Sequence, residues 1–159
     1  MPVLDLLALP AALAKGAPVA GLDLGSRTIG VAVSDTSLMI SSPLGLIRRT
    51  KFTLDARALF DLMATRGAAG LVIGLPVNMD GTEGGGCQSA RAFARHLMRL
   101  KDLPIAFWDE RLSSVAVNRL LIDEADATRA RRAASVDKLA AAWILQGALD
   151  RLGSPPFAP

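Results

Sequence analysis

Two apolar runs with a short polar break between them form the segment Val19-Ala-Gly-Leu-Asp-Leu-Gly-Ser-Arg-Thr-Ile-Gly-Val-Ala-Val-Ser34. Residues 19–24 and 28–34 are typical of strands, because apolar and β-branched side chains dominate both runs. The residues between them, Gly25-Ser-Arg27, are few enough for a tight turn. We therefore predict an antiparallel hairpin, with the acidic residue Asp23 inside its first strand.

Downstream of the hairpin, strand-like runs alternate with helical patterns. A third strand is predicted at 44–48, after the Ser-Ser-Pro break at 41–43. Further strands are predicted at 70–75 and 104–108. Helices are predicted at 54–66, 87–100, 112–124 and 135–151, with a polar loop at 125–134. This order predicts an α/β fold of the ribonuclease H-like kind. Its mixed five-stranded sheet has an antiparallel three-strand meander plus two parallel strands, with helices on both faces.

Length and composition limit the class of protein. The chain has 159 residues, 51% of them hydrophobic and 21% charged, which is typical of a globular domain. Cys87 is the single cysteine, so an internal disulfide and a cysteine-rich zinc module are both excluded. With no apolar run of about 18 residues, we expect a soluble cytoplasmic protein. We expect an N-terminal extension at 1–18, a ribonuclease H-like domain at 19–152 and a disordered tail at 153–159.

Three acidic positions fall at strand ends or helix starts. Asp23 lies in an apolar strand, where an unpaired carboxylate costs several kcal/mol, so a metal ion is the partner we favour over a salt bridge to Arg27 or a hairpin cap. Asp109 and Glu110 follow the strand at 104–108, and successive residues of a strand point to opposite faces. We therefore expect only one of the two beside Asp23. We favour Glu110, because its side chain is longer. Asp109 is then expected to interact with the N-terminus of the following helix or to form a salt bridge with Arg111.

Asp137 is the third candidate. With Ser135 as N-cap, Asp137 would be the second residue of the last helix, where the helix dipole favours a negative charge. One interpretation is that Asp137 only stabilises the start of the helix. The other is that Asp137 is a functional residue and that Asp23, Glu110 and Asp137 converge at the carboxyl ends of the parallel strands. Three such carboxylates suit Mg²⁺ or Mn²⁺, which can activate water for attack on a phosphodiester.

The glycine-rich loop after the strand at 70–75 is a candidate substrate-binding element. It contains Asn78 and precedes a helix, a position where backbone N–H groups can hold a phosphate, although the loop also reads as a flexible connection. Arginines are a second candidate, since they neutralise nucleic-acid phosphates. A helical stripe of arginines at 91, 95 and 99 is equally well explained as a solvated face. The substrate-binding residues we predict are Arg27, Asn78, Arg111, Arg129, Arg131 and Arg132.

Four segments resemble the motifs of one known family, in order along the chain. They are Gly21-Leu-Asp-Leu-Gly-Ser-Arg-Thr-Ile-Gly-Val-Ala-Val-Ser-Asp35, Gly74-Leu-Pro-Val-Asn-Met-Asp-Gly-Thr82, Trp108-Asp-Glu-Arg-Leu-Ser-Ser114 and Val136-Asp-Lys-Leu-Ala-Ala-Ala142. The family is YqgF/RuvX, the pre-16S rRNA nucleases related to Holliday junction resolvases. The resemblance runs from about residue 19 to 150. At Ser113-Ser114 this sequence has serine where such proteins commonly have threonine.

The resemblance implies a ribonuclease H-like fold, a cytoplasmic location and maturation of the 5′ end of the small-subunit rRNA precursor. Carried over by position, its acidic triad would be Asp23, Glu110 and Asp137. We therefore expect a metal-dependent nuclease acting on pre-rRNA, with ribosomal precursor particles as partners and a monomer or homodimer as the assembly. The alternatives are a resolvase of branched DNA and a non-catalytic RNA-binding assembly factor. Nucleotide-dependent phosphotransfer is disfavoured, because actin-like ATPases need two lobes.

Overall fold

The computed structural model describes residues 3–112 and 129–154, and for residues 129–138 it describes the backbone alone. Its five strands are β1 (Ala20–Leu24), β2 (Thr28–Ser34), β3 (Ser41–Arg48), β4 (Leu71–Leu75) and β5 (Ile105–Asp109). Its helices, within those residues, are α1 (Leu9–Ala12), α2 (Phe52–Arg66), α3 (Gly85–Leu100) and α4 (Arg129–Gly153). Short 3-10 helices cover Leu6–Ala8 and Glu110–Leu112.

The strands form one mixed sheet in the order β3-β2-β1-β4-β5. β1 pairs antiparallel with β2, and β2 pairs antiparallel with β3. β4 then pairs parallel with β1 on one side and with β5 on the other. This arrangement confirms the predicted ribonuclease H-like sheet, a three-strand meander extended by two parallel strands. The predicted hairpin is also confirmed, and its register places Asp23 opposite Gly30.

Each face of the sheet is covered by a separate hydrophobic core. The first core lies under α2 and α3, and β1 contributes Ala20 and Leu22 to it. The second lies under α4, and β4 and β5 contribute Val72, Ala106 and Trp108 to it. Because side chains alternate along a strand, Asp23 points to the α4 side, opposite to its neighbour Leu22. Helices on both faces were predicted, and this prediction is confirmed.

The third strand begins three residues earlier than predicted. The Ser-Ser-Pro sequence at 41–43 was expected to be a break, but it is the first part of β3. Proline lacks an N–H group and is tolerated at the edge of a sheet, and β3 is an edge strand. The register also shifts between Val31 and Ala32, opposite Gly45 and Pro43, so an irregularity accommodates the extra residue.

The last helix also begins earlier than predicted. The prediction of a loop at 125–134 is wrong from residue 129 on, since α4 starts at Arg129. Alanine and arginine are strong helix formers, and Arg-Ala-Arg-Arg-Ala-Ala therefore extends the helix toward its N-terminus. Ser135 is consequently inside the helix and is not its N-cap. In the predicted helix at 112–124, Leu112 belongs to a 3-10 turn, and residues 113–124 lie outside the described residues. Residues 155–159 of the predicted tail also lie outside them.

The N-terminal segment packs against the rest of the domain. The Leu4 backbone N–H donates to the Ile105 carbonyl at 2.8 Å, and Leu4 forms a parallel bridge with Ala106 at the β5 edge. Leu6 and Leu9 enter the core beneath α4. The division at residue 18 stays a prediction about domain organisation. Among the described residues, no helix is long and apolar enough to cross a membrane.

Burial of Leu9 yields a stability prediction. Leu9 is 0% exposed and Leu7, two residues earlier, is 53% exposed. We expect Leu9→Ala to lower the free energy of unfolding by about 2–5 kcal/mol, because it leaves a cavity in the second core. Leu7→Ala should stay within about 0.5 kcal/mol of the wild type. Urea unfolding of both variants checks this, and equal unfolding midpoints would show that the segment contributes nothing to the core.

Candidate active site

Asp23 is a buried carboxylate in the centre of the sheet. Its side chain is on the α4 side of β1, and the residue is 7% exposed. Two positions earlier on the same side of the strand is Gly21, where an added Cβ would come within 2.7 Å of Leu145 Cβ. The helix therefore lies directly on β1 at Gly21. Such close packing screens one side of Asp23 from solvent.

Glu110 extends over the neighbouring strand toward the same side. Glu110 is the first residue of the 3-10 turn that follows β5. A Cβ added at Gly74 would be 2.7 Å from Glu110 Oε1 and 2.7 Å from Ile144 Cδ1. The missing side chain at Gly74 thus makes room for the Glu110 carboxylate. In the parallel register of β1 and β4, Leu22 is beside Ile73. The following residues, Asp23 and Gly74, are therefore also side by side, on strands that lie about 4.8 Å apart.

Asp109 has a different environment from Glu110. Its carboxylate forms a salt bridge with Arg111, whose Nη2 donates to Oδ2 at 2.7 Å and whose Nε donates to both carboxylate oxygens. The Arg111 backbone N–H donates to Oδ1 at 2.9 Å. The side-chain hydrogen bonds from Arg111 are the main cause that lowers the pKa of Asp109. Of the two adjacent acidic residues, the structure places Glu110 over Gly74 and joins Asp109 to Arg111.

Asp137 lies inside α4 and not in its first turn. Because the helix starts at Arg129, the predicted placement of Asp137 as the second helical residue is wrong. Its side chain is outside those that the structure describes, as are the side chains of Arg129, Arg131 and Arg132. Among the described side chains, no group of three His, Cys, Asp or Glu residues could hold a metal ion. The structure thus brings two of the three predicted acidic residues to one side of the sheet.

The loop between β4 and α3 is closed by its own hydrogen bonds. The Asn78 backbone N–H donates to the Thr82 carbonyl at 2.9 Å, and the Asn78 side-chain amide donates to the Thr82 hydroxyl at 3.0 Å. Asp80 accepts the Thr82 hydroxyl at 2.6 Å, which is the main cause that lowers the pKa of Asp80. Gly81 has φ +88°, a conformation that favours glycine. The predicted candidate Asn78 therefore holds the turn together.

Arginines around the loop differ in how they are fixed. Arg91 donates to both carboxylate oxygens of Glu83 and lies over the Phe107 ring, 5.0 Å from its centroid. The other two members of the predicted arginine stripe, at positions 95 and 99, are exposed. Arg27 is exposed at the hairpin turn. The Arg111 guanidinium is close to the loop, since its Nη1 would be 3.9 Å from a Cβ added at Gly81.

The sequence patterns did not predict two features of the site. The first is Gly74, whose absent side chain accommodates Glu110. A glycine inside an otherwise apolar strand was the available signal, because such glycines mark a close approach by another group. The second is the contact between Arg111 and the loop around Gly81, which depends on a turn geometry that residue spacing does not give.

The order and pairing of the five strands define a fold of the ribonuclease H-like class, and proteins that the chain is similar to are named as nucleases. A family model described as "RuvX: Holliday junction resolvase" matches residues 17–151. The chain belongs to the RuvX family.

Relatives from several bacteria are similar over nearly the whole chain. A protein of Phenylobacterium zucineum is 71% identical over 96% of this chain and 98% of its own. A Caulobacter vibrioides protein is 63% identical, with the same two coverages. Both carry the name "Putative pre-16S rRNA nuclease". Among solved structures, Thermus thermophilus RuvC in complex with a Holliday junction substrate matches with a TM-score of 0.48 and 11% identity, covering 86% of this chain and 96% of that chain.

The Arg111 salt bridge yields a prediction about pH. In Arg111→Gln the pKa of Asp109 should rise toward its ordinary value of about 3.9, because the main cause of its lowering is removed. A carboxyl with a lowered pKa stabilises the folded state above its unfolded pKa, and this contribution is lost as pH falls through the folded pKa. The wild type should therefore be more stable than the variant above about pH 4, with the difference vanishing at lower pH.

Carboxyl ¹³C NMR titration measures the pKa of Asp109, and denaturant unfolding across the pH range measures the stability difference. Arg95→Gln is the matched control, because Arg95 is also an exposed arginine of this domain. An unchanged pKa of Asp109 in Arg111→Gln would contradict the assignment of the salt bridge as its cause.

Proposed function

We propose that this chain is a metal-dependent nuclease that processes the 5′ end of pre-16S rRNA, with Asp23, Glu110 and Asp137 as its catalytic acidic residues. The observation that carries the proposal is the juxtaposition of two carboxylates across Gly74. Asp23 is buried on the α4 side of β1, and Glu110 Oε1 occupies the space above Gly74, the next residue across the sheet. Two carboxylates on one side of the sheet repel each other, and a cation bound by both would offset that repulsion.

The residues present fit a hard divalent cation, Mg²⁺ or Mn²⁺. Carboxylate oxygens are the ligands that these ions prefer, and the space left by the absent Cβ of Gly74 lets Glu110 share a site with Asp23. When bound, such an ion would activate water and stabilise charge that develops on the scissile phosphate. We propose that Asp23 and Glu110 hold it and that Asp137 is the third ligand.

Helical spacing supports the inclusion of Asp137. Position 137 precedes Ala141 by four residues and Ile144 by seven, so all three positions fall on one stripe of α4. Ala141 O would lie 3.4 Å from a Cβ at Gly21, and Ile144 Cδ1 lies over Gly74. The stripe therefore lies over β1 and β4. The Ser41 N–H donates to Gln146 Oε1 at 2.9 Å, which places the C-terminal half of α4 where β3 begins, so position 137 lies toward the opposite end of the sheet, the end that carries Asp23.

The remaining residues position and enclose the reaction site. α4 covers one side of Asp23 and excludes water there, which strengthens its interaction with any cation. Arg111 is held by Asp109 beside the loop of Asn78 and Gly81, where an exposed guanidinium can pair with a phosphate. We propose Arg27, Asn78, Arg111, Arg129, Arg131 and Arg132 as the residues that contact the nucleic acid.

Precursor 16S rRNA is the substrate we favour over branched DNA. Relatives 57–71% identical to this chain carry the rRNA nuclease name, whereas the resolvase likeness comes from the family description and from distant structures. Ribosomal precursor particles are the proposed partners, and the cytoplasm is the proposed location, consistent with one buried free thiol, Cys87. A monomer or a homodimer accommodates this role. A non-catalytic RNA-binding factor is the competing function.

Substitution of the acidic residues tests the catalytic proposal. We expect Asp23→Asn and Glu110→Gln each to reduce Mg²⁺-dependent cleavage of a pre-16S rRNA fragment by more than about a hundredfold, since loss of even an outer-shell partner of a metal costs about 10–100-fold. Asp61→Asn is the control and should retain full activity, because Asp61 is an exposed carboxylate on α2, on the other side of the sheet. Cleavage of labelled RNA with and without EDTA gives the rates.

Mn²⁺ binding supplies a readout that does not depend on activity. Isothermal titration of the wild type should show binding that is weakened in Asp23→Asn and in Glu110→Gln and preserved in Asp61→Asn. Undiminished cleavage by Asp23→Asn would remove its catalytic role. RNA binding that survives chelation, with no cleavage of rRNA or of a four-way DNA junction, would instead establish the non-catalytic factor.

Gly74 offers a second test of the site. In Gly74→Ala the added Cβ would meet the ends of the Glu110 and Ile144 side chains, which can move without unfolding the sheet. We expect a folded protein whose cleavage rate falls about 10–100-fold, because a displacement near 1 Å in an active site has an effect of this size. Gly85→Ala is the control, since nothing lies within 4 Å of its added Cβ. Equal rates for the two variants would show that the space above Gly74 is irrelevant to catalysis.

A further inference from the structure

The side of the sheet that carries Asp23 continues across β2 to the edge strand β3. In the hairpin register Asp23 is opposite Gly30, and one row nearer the turn Thr28 is opposite Arg48. Ile47 is buried in the core under α2 and α3. By alternation along the strand, Arg48 points to the opposite side, the one that carries Asp23. Although α4 covers part of that side, Arg48 is exposed.

The backbone around Arg48 is fixed by contacts with the hairpin turn. The Arg49 backbone N–H donates to the Arg27 carbonyl at 2.8 Å, and Arg49 Nη1 donates to the Gly25 carbonyl at 2.7 Å. The Arg49 guanidinium also lies over the Phe93 ring, 6.0 Å from its centroid. Arg49 therefore fastens the end of β3 to the turn between β1 and β2. Arg27 and Arg48 thus form a group of two exposed arginines whose backbones lie close together at the end of the sheet.

Among the side chains that the structure describes, no carboxylate forms an ion pair with Arg27 or Arg48. The ion pairs found among the described side chains join Arg91 to Glu83 and Arg111 to Asp109. Neither of them involves Arg27 or Arg48. A guanidinium that is exposed, positioned by the backbone and free of an ion pair is suited to bind a phosphate through two parallel hydrogen bonds.

The spacing between this group and the acidic site matches a nucleic-acid backbone. Two strand spacings separate β1 from β3, which is about 10 Å across the sheet. A strand of double-stranded DNA advances about 3.4 Å per nucleotide along the helix axis. A duplex whose axis runs across the sheet, with the scissile phosphate at Asp23, would thus carry another phosphate near Arg48 within about three nucleotides.

We propose that Arg48, with Arg27 beside it, is a phosphate-binding subsite that holds the nucleic-acid strand on the β3 side of the acidic centre. This inference deepens the proposed nuclease function and rests on it, since it takes Asp23 as the point of cleavage. Arg49 acts through its neighbours as a positioning residue, because its own guanidinium is bound to Gly25. The subsite contacts phosphates and not the edges of bases, so it binds RNA and DNA alike.

The test measures binding separately from cleavage. Labelled RNA that spans the mature 5′ end of 16S rRNA is titrated, in EDTA, into full-length wild type, Arg48→Gln and Arg57→Gln. Arg57 is the control, because it is an exposed arginine on α2, on the other side of the sheet. We expect Arg48→Gln to weaken binding about tenfold and to reduce the slope of log K against log salt by about one, as for the loss of one phosphate contact. Arg57→Gln should match the wild type.

Further variants and the cleavage assay distinguish the possible failures. Arg48→Lys should recover part of the affinity and the full salt slope, since it restores the charge without the guanidinium fork. If Arg48→Gln and Arg57→Gln bind equally, with thermal melting showing both folded, the subsite is refuted while the nuclease proposal stands. If binding depends on Arg48 but wild type cleaves neither RNA nor a DNA junction, the subsite stands as a binding surface and the proposed function fails.

Discussion

The close approach of α4 to the sheet is the constraint on which the site depends. Three glycines permit it: a Cβ at Gly21 would collide with Leu145, one at Gly74 with Ile144, and one at Gly147 would come within 3.0 Å of the Trp108 ring. Since dispersion and hydrophobic contacts weaken over fractions of an ångström, removing these side chains lets the helix and sheet pack at full density. The second core, with Leu145 and Trp108 in it, follows from that packing.

The same packing gives the acidic residues their environment. A helix lying directly on β1 leaves Asp23 only 7% exposed, so its charge acts in a medium of lower dielectric than water. Gly74 serves twice, because its missing Cβ admits both the helix side chain Ile144 and the Glu110 carboxylate. Stability and chemistry therefore depend on one position. A larger residue there would separate the carboxylates even if the helix adjusted to it.

Sequence patterns predicted the sheet well and the ends of elements less well. Apolar and β-branched runs bounded by turn residues identified all five strands and the hairpin, because strands that are buried on both faces have continuous apolar sequences. The errors lay where local composition and tertiary context disagree. Pro43 looked like a break but sits in an edge strand, and the arginines after position 128 looked like a loop but continue a helix. Glu110 was favoured over Asp109 because its side chain is longer. In the structure, the space for Glu110 comes from the missing side chain of Gly74. This contact joins segments that are distant in sequence, so periodicity cannot show it.

Charge explains why an acidic site and basic edges occur on one small surface. A carboxylate and a phosphate about 4 Å apart repel by about 4 kcal/mol at an effective dielectric of 20. Asp23 and Glu110 together therefore oppose binding of any nucleic acid unless cations intervene. A divalent ion would offset this repulsion at the scissile phosphate itself, but it cannot hold the flanking strand. Arginines at the margin of the site, such as Arg48 across the sheet and Arg111, whose guanidinium is held by Asp109, can attract the flanking phosphates.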